Sequence, residues 1–188
     1  RTVIGTNLTA RRLSRYQEIM EAGLECLVVS IDTLSKSLIP QTRVGTNLPR
    51  LVENLRGLAV DYADRILVRT VVSKINLRDL EKIQHFLESC GITSTRWHLQ
   101  PLQDYENNSF GIDQSEYDNL SKKIPGLPAI HSNLRKKQSL KRPTTCRVPR
   151  TTLTINAVGD LMPCHQYWDG NVVNFGNIKD GSIEELYA

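Results

Sequence analysis

Two hydrophobic rhythms alternate along residues 1–102. Short apolar runs are separated by stretches in which apolar side chains recur every three or four positions, which predicts strands alternating with amphipathic helices. Residues 2–7 form a partly β-branched run that ends in turn chemistry. Thr9 is placed to cap a helix carrying Leu13, Tyr16 and Met20 on one face, with Gly23 to stop it. Residues 25–32 are almost continuously apolar, the pattern of a strand buried on both faces. Asn47 and Pro49 open a second helix, whose Leu51, Leu55 and Leu58 fall on one stripe. Residues 66–73 predict a third strand. Asn76 is placed to cap a third helix with Leu80, Ile83 and Leu87, closed by Gly91, and residues 95–102 predict a fourth strand.

Strands joined by helical crossovers of this length pair in parallel, and the crossovers are right-handed. The expected fold class is therefore α/β, with a parallel sheet over residues 1–103. Functional groups in such sheets gather at the C-terminal ends of the strands. There the chain offers Asn7, then Ser30 and Asp32, then Ser73, Lys74 and Asn76, then Gln100. Alternation puts Ser30 and Asp32 on one face, a pairing that suits a ribose or amino-acid ligand; capping of the following turn is the competing reading. Arg69 interrupts an apolar strand and shares parity with Val71 and Ser73, so it is either a ligand contact or a paired structural arginine.

Periodicity breaks over 104–142, where Pro125 and Pro128 stand, leaving one short helix near 114–123 and a linker or insertion around it. Five of the eight residues 135–142 are Lys or Arg, which reads as a solvated charge run. Residues 143–188 resume as a second, small domain. Residues 151–156 lead through Gly159 to a returning strand, and Ser182 opens a helix at its end. The net charge of +4 over 188 residues and the lack of aromatics interleaved with the basic run argue against nucleic-acid binding. No apolar stretch is long enough for a membrane-spanning helix, and no secretory leader pattern is present. Four unevenly spaced cysteines do not form a secreted disulfide framework, so a reducing cytoplasm is expected. The chain begins inside a strand without Met and stops early in a helix, so it reads as an internal piece of a longer protein.

The strongest chemical signal is Cys146, twelve residues, Gly159, four residues, then Cys164. Two thiols on either side of a Gly-bearing turn are soft ligands of the kind an iron–sulfur cluster needs. Together with Thr6-Asn7, Val29-Ser30-Ile31-Asp32, Arg43, the Asn76…Leu80…Gly91 unit, and Gly176-Asn177-Ile178 before Ser182-Ile183, this order resembles the radical S-adenosylmethionine (SAM) enzymes with a C-terminal SPASM or twitch domain. The resemblance implies that residues 1–103 are the C-terminal part of a (β/α)6 TIM-like barrel, and that 143–188 begin the SPASM or twitch domain. It also implies the chemistry of the class, in which a reduced 4Fe–4S cluster cleaves SAM to a 5′-deoxyadenosyl radical that takes a substrate hydrogen.

By the same resemblance, Ser30 and Asp32 would touch the ribose or carboxylate of SAM. Thr6 and Asn7 would line the pocket, Arg43 would hold the carboxylate, and Gln100 would lie near the adenine. Cys146 and Cys164 would ligate an auxiliary 4Fe–4S cluster. The implied partners are a peptide, protein or small-molecule substrate and an electron donor such as a flavodoxin or ferredoxin. The family's three-cysteine loop and its Gly-Gly-Glu strand are not in this sequence and are expected upstream, so these residues alone are expected to be inactive. Leu8 stands where the family has a Gly. Cys26 and Cys90 read as packing residues, as do Trp97 and Trp168. His131 and His165 fit no common zinc spacing. The alternative class is a non-catalytic α/β binding module stabilised by zinc or thiols.

Overall fold

The structure is a computed structural model that describes residues 2–102, 110–130, 153–156, 158–163 and 174–187. The chain divides into two compact units, Arg1–Lys136 and Lys137–Ala188. In the first, β1 (Val3–Thr6), β2 (Cys26–Ser30), β3 (Ile66–Val72) and β4 (Trp97–Pro101) form a parallel sheet in the order β1-β2-β3-β4. Between them run α1 (Ser14–Glu21), a short α2 (Ile39–Thr42), α3 (Leu48–Tyr62) and α4 (Leu80–Ser89), and α5 (Gln114–Lys123) follows.

Strand order equal to sequence order has a geometric consequence. Crossovers of one hand, always stepping in the same direction, place every helix on the same side of the sheet. The buried cluster agrees. It joins Leu27, Val29, Val68, Val72, Trp97 and Leu99 of one sheet face to Met20, Leu55, Leu58, Ile83 and Leu87 of the helices. Each such side chain contributes roughly 1.5–3 kcal/mol when fully buried. The strand register assigns the opposite face to Val28 and Ser30 of β2, Leu67, Arg69 and Val71 of β3, and His98 and Gln100 of β4. These seven are half-buried or exposed. Among the described residues, the apolar run at 25–32 is thus covered by helices on one face only; Cys26, at the start of β2, is the buried position on the other.

Two helix starts differ from expectation for identifiable reasons. The Thr9 hydroxyl donates to Asn7 Oδ1 at 2.9 Å instead of capping, and α1 begins only at Ser14. Asn76 likewise caps no helix. Its amide is drawn between β2 and β3, and a 3-10 turn, Leu77–Asp79, precedes α4. Asn47 does cap α3, with its Oδ1 accepting from the Arg50 amide at 3.1 Å. The short helix expected near 114–123 is α5, started by reciprocal Asp113–Glu116 bonds. Its flanks also add Ile112, Ile124 and Ile130 to the core.

In the second unit, β5 (Thr154–Ile155) pairs antiparallel with β6 (Leu161–Met162), as the hairpin pattern predicts. The other edge of β6 is taken by residues 174–178, since Leu161 N–H donates to Gly176 O at 2.8 Å and Phe175 N–H to Leu161 O at 2.9 Å. Ser182 and Glu185 then start α6 (Ile183–Tyr187) by exchanging side-chain and backbone bonds.

Candidate functional site

The C-terminal ends of β2 and β3 are tied by three polar residues. The Asp32 carboxylate is 5 % exposed, and it accepts from the Val71 amide at 2.8 Å through Oδ1. Its Oδ2 accepts from Arg43 Nε and lies equally close, 2.9 Å, to Arg43 Nη2. Asn76 Nδ2 donates to Asp32 O at 2.7 Å and to Val71 O at 2.8 Å, while its Oδ1 accepts from the Ser73 amide at 2.8 Å. Parallel strands stop donating to one another at their ends, and these side chains supply the missing partners for the last backbone groups. Asp32 and Arg43 are therefore brought together as a pair that closes the loop between β2 and α3.

Asp79 organises the start of that loop. One oxygen accepts from the Thr33 hydroxyl and from the amides of Leu34 (2.8 Å) and Ser35 (2.9 Å); the other accepts from Ser35 Oγ at 2.6 Å and Lys82 Nζ at 3.1 Å. Burial pushes this carboxyl up. The bonds from Ser35, Thr33, Lys82 and the Leu34 amide outweigh burial and hold it at about 2. The loop after β2 is thus held to α4 by a carboxylate that stays charged.

The other predicted residues are distributed over both faces. Ser30 is in register with Arg69, and Arg69 with His98, so one rung of the uncovered face carries three polar side chains. Gln100, exposed, is in register with Val71 one rung nearer the strand ends. Thr6 falls in register with Val29, on the helix-covered face, and its Oγ1 accepts from the Leu8 amide at 3.0 Å. Asn7 is exposed, and its Oδ1 accepts from the Thr9 hydroxyl and amide. Leu8 adopts φ 56°, the left-handed region that costs a branched residue about 1 kcal/mol and that glycine enters freely. The backbone turn expected of a glycine is therefore present, with a fully buried Leu side chain in its place.

Several supporting residues escape a reading by periodicity. Asn54 sits 4 % exposed on the apolar stripe of α3, and its Nδ2 donates to Leu8 O (2.9 Å) and Ala10 O (3.1 Å), holding the strained turn after β1. A polar residue one step from Leu55 on that stripe was the available signal. Arg65 donates to the carbonyls of Met20 and Leu24, closing the end of α1. Trp97 Nε1 donates to Thr70 Oγ1 at 2.9 Å, and Thr70 in turn donates to Ile31 O, so the buried indole is a packing residue with its one polar atom satisfied.

In the second unit, the turn of the hairpin is built from amides. Asn156 Oδ1 accepts from the amides of Val158 (3.0 Å) and Asp160 (2.9 Å). Asn177 Nδ2 donates to Val158 O at 3.0 Å and Asp160 Oδ1 at 2.9 Å. Gly159 has φ 97°, and a Cβ there would lie 3.0 Å from Asn177 Oδ1. The glycine between the two cysteines is needed both for its conformation and for the close approach of residue 177. Cys146 and Cys164 themselves lie outside the described residues, as do His131, His165 and Trp168. Cys26 is buried and Cys90 half-buried, the latter packed against the core with its thiol pushed up by burial.

Residues 146–188 match the family model of SPASM, the iron–sulfur cluster-binding domain. The match begins at Cys146 and contains Cys164 and the Gly159 turn. It supports a SPASM-containing protein of the radical SAM type and assigns iron–sulfur cluster binding to this region. No curated protein matches the chain. Among the described residues no helix is long and apolar enough to cross a membrane.

Proposed function

We propose that this chain belongs to a radical SAM enzyme whose SPASM region, residues 146–188, holds an auxiliary 4Fe–4S cluster through Cys146 and Cys164. The observation that carries this reading is the SPASM match over 146–188. The parallel sheet that precedes it, with helices on one face and polar residues on the other, is what an arc of barrel wall looks like, and it supports the same reading. The donor set fits the group, because two thiols are soft ligands suited to iron and sulfide. When bound, the auxiliary cluster supplies substrate positioning or an electron-accepting site.

The residues of the first unit act around the SAM-binding end of the barrel. Ser30, at the end of β2, offers its hydroxyl to the ribose or carboxylate of SAM, and Gln100 offers an amide near the adenine. Arg43 and Asp32 work as a pair, so Arg43 reaches a SAM carboxylate only while it also neutralises Asp32. Asn7 borders the pocket, and Thr6 supports it by holding the turn at Leu8. The SAM-cleaving cluster and its three-cysteine loop come from a segment outside these 188 residues. Substrates are peptides, proteins or small molecules, a flavodoxin or ferredoxin delivers electrons, and the enzyme works in the cytoplasm.

Iron and sulfide analysis of the anaerobically purified full-length protein tests this reading. The expected result is about four irons per chain more than remain in the Cys146→Ala/Cys164→Ala variant, with 5′-deoxyadenosine still formed by that variant. Zinc in place of iron, or equal iron in both proteins, would sink the assignment and favour a structural thiol module.

A further inference from the structure

Charge is segregated between the two ends of the parallel sheet. At the C-terminal ends of β1, β2 and β3, each connection up to the first turn of the next long helix covers residues 7–17, 31–51 or 73–83. Together these hold nine Lys or Arg against three Asp or Glu. At the other end, the last helical turns and the connections back to the strands cover 18–25, 59–65 and 86–96. They hold two Lys or Arg against six Asp or Glu. A helix dipole favours the reverse, with acids at its N-terminus and bases at its C-terminus. Yet α1 and α3 have no acid in the first turn, and α1, α3 and α4 have no base in the last. Helix stability therefore does not account for the pattern. Cations and helix N-termini instead add to one positive field at the strand ends.

The cations adjoin one another and are largely unneutralised. Arg50 Nη1 donates to Thr9 O at 3.4 Å, which sets the first turn of α3 against the loop carrying Arg11 and Arg12. Lys82 Nζ donates to Ser35 Oγ at 3.3 Å, which sets the first turn of α4 against the loop carrying Lys36. Of the three acids, Asp32 is paired with Arg43 and Asp79 with Lys82. Arg11, Arg12, Arg15, Lys36 and Arg78 are exposed, and their side chains form no hydrogen bond or ion pair among the described residues.

We propose that Arg11, Arg12, Arg15, Lys36 and Arg78 form a docking rim for an acidic segment of a polypeptide substrate. The word substrate rests on the radical SAM reading; the cationic rim does not. SAM itself does not explain the rim, because its ammonium and sulfonium outweigh its one carboxylate and such a field opposes it. The rim also crosses β1, β2 and β3, strands spaced about 4.8 Å apart, so it suits several carboxylates in a row better than one small anion. Ligands of parallel α/β sheets approach from this end, which places an acidic segment beside the entrance. The rim would then select and orient the substrate without taking part in the chemistry.

The test uses full-length holoprotein and a fluorescent oligoglutamate of about ten residues, roughly 33 Å when extended. Oligoglutamate should bind, oligolysine should not, and raising NaCl from about 50 to 300 mM should weaken binding about tenfold. Arg11→Glu/Arg12→Glu and Lys36→Glu/Arg78→Glu should each weaken it about tenfold or more, by placing like charges opposite the peptide. Both variants should keep SAM affinity within about twofold and unfold at the wild-type temperature or above, because the replaced cations serve neither cofactor nor helix. Lys136→Glu/Lys137→Glu makes the same charge change in the basic run of the sequence and should have little effect. No oligoglutamate binding, or a loss in that control as large as in the rim variants, would overturn the proposal. So would a tenfold loss of SAM affinity, or a lowered unfolding temperature in both rim variants. Oligoglutamate that inhibits SAM cleavage driven by reduced flavodoxin but not by dithionite would also overturn it, by giving the rim to the electron donor. Failure of the radical SAM reading shows separately, as a protein without iron or SAM binding that still binds oligoglutamate through the rim.

Discussion

The two units of this chain solve the problem of staying folded by different means. The first buries a continuous apolar layer between one sheet face and its helices, and its polar residues then refine what the core has already placed. In the second unit the buried apolar side chains among the described residues are Leu161, Met162 and Pro163. Its order comes instead from a lattice of amide and carboxylate bonds around Gly159: Asn156, Asp160 and Asn177 answer one another and the turn's backbone. A unit of this size seldom supplies enough burial to offset chain entropy, and small domains compensate with disulfides or metals. By that argument a cluster bound in the second unit would contribute more to its folding than one bound in the first.

The contrast breaks most completely at the cysteine pair. Cys146→Ala/Cys164→Ala should abolish protection of the Leu161, Phe175 and Ile178 amides, by ~100-fold or more in hydrogen exchange, because metal binding and folding are one equilibrium in such units. The amides of β2 and β3 should exchange at wild-type rates. Retained protection in the iron-free variant would show that the amide lattice stands without a cluster.

In the first unit the largest single polar effect should come from Asp79. Asp79→Asn leaves five donors facing an amide, a loss of roughly 2–4 kcal/mol by urea unfolding. The folded-state value of about 2 lies below the ordinary carboxylate value. Its contribution is therefore fully present above pH ~4 and is lost as the pH falls toward 2, amounting to roughly 2 kcal/mol. Acid unfolding of Asp79→Asn should show a shallower pH dependence over that window; an identical slope would mean the loop carries no such linkage.

Glycine positions sharpen the comparison further. Gly159→Ala should cost about 1–3 kcal/mol, since its positive φ and the Asn177 contact both oppose a Cβ. The effect should be confined to exchange rates in the second unit. The smallest effect is the most diagnostic of strain. Leu8→Gly and Leu8→Ala both empty a buried site, but only glycine relieves the left-handed turn. Leu8→Gly should therefore be the more stable by about 1 kcal/mol in thermal or urea unfolding, the reverse of the usual order. Equal stabilities would place the strain elsewhere.

Much of the first unit was legible because periodicity reports burial directly. The runs at 25–32 and 66–73 became β2 and β3, and the stripe of Leu51, Leu55 and Leu58 faces the core as its spacing requires. The hairpin around Gly159 followed from alternation and a turn residue, and the SPASM match covers that region. Caps were less legible. Thr9 and Asn76 have the right chemistry for helix starts, but stronger partners nearby claim them, Asn7 for one and the ends of β2 and β3 for the other. A side chain that can bond locally or across strands does whichever leaves fewer backbone groups unpaired, and sequence spacing does not reveal the second option.

The sequence by itself determined the alternation of strands and helices, the parallel pairing, and the cysteine–glycine–cysteine spacing with the cluster chemistry it implies. These depend on near neighbours, on hydrophobic period and on the softness of thiols, all of which are local properties. Only the tertiary structure decided that the helices share one side, that Asp32 is occupied by Arg43, and that Asp79 gathers the loop after β2. It likewise decided that Thr6 and Ser30 fall on opposite faces and that Arg69 stands between Ser30 and His98. Those facts depend on register between strands some thirty to forty residues apart, as Ser30 and Arg69 are. Register is set by the packing of the whole layer, which no short stretch of sequence contains.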